Sequence, residues 1–252
     1  MSTGFAYAQS RVQARFGDLI DDTAWRRLDA SRSLSGFLEE ARHTPLSHWI
    51  RGLSLVSTPH HIEQGLRRRL LDLIQESRRW VPGCWRDAIS WAAWLQELPL
   101  LRRLLADDGI PSWAKDAPLL GPALGKQANS VRPALAAIGG VPLLRNLGTN
   151  SLETNWLAHW RSLWPALSRR EYAGMQQLIE LTMVHGARFP TLSWEQGWSE
   201  RKRLRGDLRH LFRRTAVQPA ALFTWLCLEA LELEQLRAAL VERAIFTASE
   251  GV

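Results

Sequence analysis

The stretch IEQGLRRRLLDLIQESRRW, residues 62–80, decides the fold class. Its apolar residues Ile62, Leu66, Leu70, Leu73 and Ile74 recur at three- and four-residue steps, while Arg67, Arg68, Gln75 and Arg78 fall largely on the other side. That period is the turn of an α-helix and not the alternation of a strand. Ser57, Thr58 and Pro59 form a start signal in front of it, because proline lacks only an N–H that the first turn would leave unpaired. One long amphipathic helix is predicted here.

The same spacing continues on either side. WRDAISWAAWLQELPLLRRLLADD, residues 85–108, predicts a second long helix stopped by Gly109 and Pro111. Further helices are predicted over residues 6–20, 22–28, 34–41, 152–163, 168–185, 196–212 and 219–244. Strand-like alternation is scarce, so the expected fold is all-α, a bundle of long amphipathic helices. Residues 109–150 differ in character: these 42 positions hold 11 of the 29 Gly and Pro residues. They remain rich in Leu, Ala and Val, which predicts a packed, turn-rich connector with short helices and not a free linker. The expected organisation is a first helical unit over 1–108, the connector over 109–150 and a second helical unit over 151–252, together one compact domain.

Composition narrows the class. A chain of 252 residues with 46% hydrophobic and 23% charged residues buries a sizeable core, which excludes disorder, collagen and a small disulfide scaffold. There are 13 Trp against 2 Tyr, and 29 of the 32 basic residues are arginine, so the net charge of +7 rests on guanidinium. Cys84 and Cys227 stand far apart without metal-ligand spacing and are expected to be reduced and structural. Residues 215–228 form a charge-free run too short for a bilayer and interrupted by Gln218 and Pro219. Residues 1–10 lack the basic-then-apolar order of a secretory signal. Cytoplasmic residence with peripheral membrane association is the expectation.

The halves resemble each other. A shift of 135 residues sets ELPLLRRLLADDGI (97–110) on ELEQLRAALVERAI (232–245), matching Glu97, Leu98, Leu101, Arg102, Leu105 and Ile110 with Glu232, Leu233, Leu236, Arg237, Leu240 and Ile245. A shift of 138 sets LRRRLLDLI (66–74) on LRGDLRHLF (204–212), matching Leu66, Arg67, Leu70 and Leu73. Two helix pairs in the same order suggest internal duplication; chance alignment of Leu- and Arg-rich helices is the alternative.

These residues resemble a known family. YAQSRVQAR (7–15) is similar to the opening helix of the C-type (also d-type) central-stalk component of V-type and archaeal-type ATP synthases, with Tyr7, Arg11, Val12 and Ala14 fitting its pattern. ELEQLR (232–237) resembles that family's E-x-x-N-[LI]-R helix, and ELPLLR (97–102) its earlier copy. Residues 28–50 resemble its short helices after the first. Gln235 and Leu100 replace the family's Asn, Pro99 disturbs the middle copy, and the family runs about a hundred residues longer, so the chain looks like a shortened or divergent member. The resemblance implies a non-catalytic, all-helical central-stalk adaptor between the rotor shaft and the membrane ring. It implies other proteins of a multi-protein complex as partners, no cofactor, and a place at the inner face of the membrane in ATP-driven ion transport or ATP synthesis. Its frame would be the N-terminal helix around Tyr7 and Arg11 packed on the C-terminal helix around Glu232 and Arg237.

Sites of chemistry are sparse. GPALGKQ (121–127) has one residue too few between its glycines for a phosphate loop, and Gln127 stands where Ser or Thr would hold magnesium. His60 and His61 near Glu63 project from different sides of a helix and suit no shared metal. Cys84, Cys227, Asp87 and Glu229 have no partner by spacing, and no nucleophile-elbow or zinc-protease motif occurs. No catalytic, metal or cofactor residue is therefore assigned.

Two groups remain as candidate contact surfaces. Trp156, Trp160 and Trp164 form a stripe at four-residue spacing, which suits core packing first and an interface anchor second. Arg67, Arg68 and Arg69, and Arg201, Arg203 and Arg205, form basic helix faces that suit solvation or docking on an acidic partner. A pI near 10.3 also admits a basic helical nucleic-acid binder, but aromatic residues do not interleave with the basic runs. A helical scaffold of another membrane-associated complex is the other alternative.

Overall fold

The computed structural model describes residues 3–106, 110–126 and 131–249. Among the described residues the regular structure is entirely helical. In chain order the helices are α1 (Ala6–Asp18), α2 (Asp22–Ala30), α3 (Leu34–Arg42), the single turn α4 (Ser47–Ile50), α5 (Pro59–Ser77), α6 (Arg86–Ala92), α7 (Leu98–Ala106), α8 (Gly121–Lys126), α9 (Val131–Ala137), α10 (Leu152–Ser162), α11 (Arg169–Arg188), α12 (Trp194–Arg214) and α13 (Pro219–Ser249), with short 3-10 turns between some of them.

Local chemistry sets the helix starts. Asp21 accepts the N–H groups of Thr23 and Ala24 ahead of α2, and Ser33 and Ser151 cap α3 and α10 in the same way. Capping boxes open α11 (Ser168 with Glu171) and α12 (Ser193 with Gln196), each satisfying two otherwise orphaned donors. At α5, Thr58 Oγ1 accepts the His61 N–H at 3.2 Å and Pro59 is the first helical residue, as the start signal predicts.

Two predicted helices change shape. The helix expected over 62–80 ends at Ser77, whose hydroxyl donates back to the Ile74 carbonyl at 2.8 Å; Trp80 lies beyond it and is buried. The helix expected over 85–108 is broken into α6 and α7 by a 3-10 stretch, Ala93–Glu97. Pro99 accounts for the break, since it lacks the N–H that would reach back to residue 95 and its ring crowds that carbonyl. Asp107, Asp108 and Gly109 lie outside the described residues. The Gly- and Pro-rich segment carries 3-10 turns together with α8 and α9.

The chain groups into two units that cut across the expected boundaries at 108 and 150. Of the described residues, the first unit comprises those up to Ile62, Trp80–Pro82 and those from Ala166 on; the second comprises Glu63–Arg79 and Gly83–Pro165. The connector thus belongs to the second unit.

In the first unit α13 is the central element, packed by α1, α3, α11 and α12. From Ala220 to Leu226 its residues are buried on every side, as expected of a helix at the middle of a core. The charge-free run is this core segment. Trp225 has no exposed surface and its ring lies 5.6 Å from that of Trp80. Burying such a side chain contributes about 2–3 kcal/mol. Between α12 and α13, Val217 sits at a φ of 62° and its N–H donates to Gln9 Oε1 at 2.8 Å, so a side chain of α1 holds a strained turn.

In the second unit α10 packs on α6 and α7 through tryptophan. Trp91 Nε1 donates to the Trp156 carbonyl and Trp156 Nε1 donates to the Trp91 carbonyl, both at 3.1 Å, and Trp160 Nε1 donates to the Ala88 carbonyl at 3.1 Å. Each ring buries apolar area while its polar atom is satisfied. Gly121 is required for packing, because a Cβ there would stand 2.1 Å from the Lys115 carbonyl oxygen.

Candidate functional site

The first unit holds two buried carboxylates on α13, Glu229 and Glu232, nearly one helical turn apart and each 4% exposed. Glu232 Oε1 accepts the N–H of Ile20, just past α1, at 3.0 Å. Burial pushes the Glu232 carboxyl up to about 7, against the pull of that N–H and of Arg205 and Arg209 on α12. Burial first, and then the charge of Glu232, push Glu229 up to about 8, with Arg15 of α1 opposing.

The second unit repeats the motif in simpler form. Glu97 has no exposed surface, and one of its oxygens accepts the Leu119 N–H at 3.4 Å. Burial raises its pKa while the Arg67 guanidinium opposes the rise. The correspondence is that of the sequence copies: Glu97 aligns with Glu232, and Arg67 with Arg205. In each unit a buried glutamate accepts a backbone N–H from a segment outside its own helix and faces the arginine at the equivalent position.

Beside the first-unit carboxylates α2, α12 and α13 enclose a cleft of about 810 Å³. α2 contributes Asp22, Trp25, Arg26 and Asp29, and α12 contributes Trp198, Arg201, Lys202 and Arg205. From α13 come Leu231, Gln235, Ala238, Ala239, Glu242 and Arg243. Arg201 grips Glu234 with two hydrogen bonds, at 2.9 and 2.5 Å, and lies over the rings of Phe189 and Trp198. Lys202 pairs with Asp22, and Arg205 Nη2 donates to Gln235 Oε1 at 2.7 Å. Arg243 donates to the carbonyls of Ser31 and Ala239, both at 2.8 Å, and covers Phe37. The hydrogen bond from Lys202 holds the Asp22 carboxyl below its usual range, and the charges of Lys202, Arg205 and Arg209 add to that, whereas burial raises Asp29 in the same cleft, with Arg243 opposing and Glu242 adding to the rise.

Three of the sequence candidates, Arg201, Arg205 and Gln235, meet in this cleft. Arg203 faces elsewhere on α12, paired with Glu200 beside Arg188. Val12 is buried, whereas Tyr7 and Arg11 are exposed, with the Arg11 guanidinium 5.9 Å from the Tyr7 ring and 5.5 Å from that of Trp80. Arg102 is exposed and pairs with Glu153; Arg237 is exposed on α13. The run Arg67, Arg68 and Arg69 does not form one face: Arg67 is half-buried and donates to Glu63 at 2.9 Å, Arg68 is exposed and Arg69 half-buried.

The tryptophan stripe is core. Trp156 and Trp160 are buried with stacked rings 5.3 Å apart, and Trp164 is half-buried against Trp160. Residues 121–126 are the short helix α8 and not a phosphate loop, while Gln127 lies outside the described residues. Both cysteines are free, and burial pushes the Cys227 thiol up to about 12, which disfavours its thiolate. Lys202, Arg26, Trp198 and Arg243 join the cleft without having been sequence candidates. A one-helix pattern shows that Lys202 adjoins Arg201, but only packing of α2 and α13 against α12 brings the rest together.

Comparison with protein-family models, with curated proteins and with solved structures returned no match.

Proposed function

We propose that this chain is a non-catalytic helical adaptor of the C-type central-stalk family, linking a rotor shaft to a membrane ring in ATP-driven ion transport or ATP synthesis. One observation supports the reading most directly. The two segments that carry the resemblance are structural partners: α1, with Val12 buried, packs on α13, and Glu232 of the E-x-x-Q-L-R helix accepts the N–H of Ile20, just past α1. A frame that ties the chain's first helix to its last through buried polar contacts is a stiff body suited to carrying load. Among the described residues no helix is long and apolar enough to cross a membrane, so attachment to a ring would run through protein contacts.

The test is native purification of the tagged chain from its own cells in mild detergent, with mass spectrometry of the complex and ATP-driven ion uptake measured in inverted vesicles. Shaft and ring proteins are expected to co-purify, and deletion of the gene is expected to reduce uptake. A chain that comes away from all of them, or uptake unchanged by the deletion, overturns the proposal.

A further inference from the structure

We propose that the cleft between α2, α12 and α13 docks an acidic segment of a partner protein, a helix presenting a row of carboxylates above an apolar edge. The proposal rests on the adaptor reading and gives the chemistry of one of its partners. Lys202 and Arg205 follow one another along α12, and Arg26 stands across from them on α2. Lys202 and Arg26 are exposed and Arg205 is half-buried, so charge runs from the rim of the cleft inward.

Two of these cations have neutral hydrogen-bond acceptors, while Lys202 is paired with the Asp22 carboxylate. Arg205 donates to the neutral amide of Gln235, with the charges of Glu232 and Asp22 acting on it without a direct bond. Arg26 uses a backbone carbonyl, that of Asp22, and the Thr23 hydroxyl. Exchanging neutral acceptors for carboxylates turns hydrogen bonds with one ionised partner into ion pairs, and a carboxylate can take a guanidinium bidentately. Asp22 shows how Lys202 receives a carboxylate here, its hydrogen bond holding that group below the usual range, whereas burial raises Asp29 elsewhere in the lining.

The arrangement favours a protein segment over a single phosphate. The cations are strung along a helix and across the cleft, and each is already engaged in a different direction. A chain of carboxylates at helical spacing meets such a row residue by residue. Trp198 and Leu231 add apolar surface of the kind that anchors interfaces, which a phosphate does not use.

The experiment uses the full chain and a fluorescein-labelled peptide of repeating Glu-Leu-Leu-Glu-Glu-Ala units, read by anisotropy. Competitors are the same peptide with Gln for Glu, inorganic polyphosphate, single-stranded DNA, and vesicles of phosphatidylserine and phosphatidylcholine in equal parts. Binding to the acidic peptide is expected, with affinity about tenfold weaker in the R26Q/K202Q variant, a change of about 1.4 kcal/mol. Both side chains are exposed, so the fold is retained, and a matching circular-dichroism melt checks this. An R68Q/R102Q variant, altered at two exposed arginines of the other unit, is expected to bind like the parent. Equal binding by R26Q/K202Q, equal weakening by R68Q/R102Q, or stronger capture of polyphosphate, DNA or vesicles overturns the proposal. The isolated chain binds or fails to bind this peptide whether or not a rotary ATPase is its partner, so the two readings fail separately.

Discussion

Glu232 in the first unit and Glu97 in the second align under the 135-residue shift, yet their surroundings differ. Glu232 accepts a close N–H from Ile20, has Glu229 nearly one turn away and looks toward two arginines, one of which reaches an open cleft. Glu97 accepts a longer bond from Leu119 and faces Arg67, which is itself tied to Glu63 on its own helix. The shared part is the apparatus that pins a neighbouring segment onto a helix. In the first unit the arginine is held by a neutral amide at the edge of a cleft; in the second it is closed off by a local ion pair. The same arrangement therefore leaves its arginine at the edge of a cleft in one unit and closed in by a local ion pair in the other.

The largest expected effect tests whether the two nodes are unequal. Glu232→Ala strands the Ile20 N–H and removes the carboxylate facing Arg205, and is expected to cost about 3 kcal/mol. Glu97→Ala, where the amide bond is long and Arg67 keeps Glu63, is expected to cost about 1–2 kcal/mol. Urea unfolding of the two variants measures both, and equal losses would erase the distinction.

The next effect is on pH dependence. A glutamate titrates near 4.5 when unfolded, whereas Glu232 and Glu229 are raised to about 7 and about 8, so the native chain binds more protons across that interval. Their protonated-state stabilisation is complete below pH 4.5 and is lost as pH rises through about 7 and then about 8. Each extra bound proton contributes a slope of about 1.4 kcal/mol per pH unit. Stability measured from about pH 5 to 9 is expected to fall, and Glu229→Gln with Glu232→Gln is expected to flatten the curve more than Glu97→Gln does. A curve unaltered by the double substitution would show that the α13 carboxylates do not differ from Glu97.

The smallest effect concerns the matched arginines that follow these glutamates. Arg102 is exposed and its pair with Glu153 is a surface contact. Arg102→Ala is expected to change stability by about 0.5 kcal/mol or less. A larger loss in a thermal melt would place it in the node with Glu97.

The helical period makes α1, α2, α3, α10, α11 and α12 legible to within a few residues, because each buries one broad stripe, and α13 is legible from its length and apolar run despite being buried all round at residues 220–226. The start of α12 lies two residues earlier than the period predicts, although Ser193 and Gln196 spell a capping box that periodicity alone does not weigh. Pro99 is recognisable as a disturbance, but only the structure shows the 3-10 stretch it imposes on Ala93–Glu97. The matched glutamates are visible as a pattern, while their burial is not, since a glutamate on an amphipathic helix ordinarily faces water. The cleft is half visible in Arg201, Arg205 and Gln235. Its other wall comes from α2, about 170 residues earlier in the chain, and no spacing rule relates such distant positions.

Trp80–Pro82 returns to the first unit in the middle of a sequence otherwise assigned to the second. Trp80 sits against Trp225 and under Arg11 and Arg15, and Pro82 lies so close to Gly4 that a Cβ there would stand 2.6 Å from its ring. During synthesis these three residues emerge from the ribosome long before Trp225 does. The first unit's core therefore cannot be complete before α13 has been made, while the second has all its residues by Pro165. The threading of the chain thus makes one set of core residues available well before the α1 to α13 frame can close.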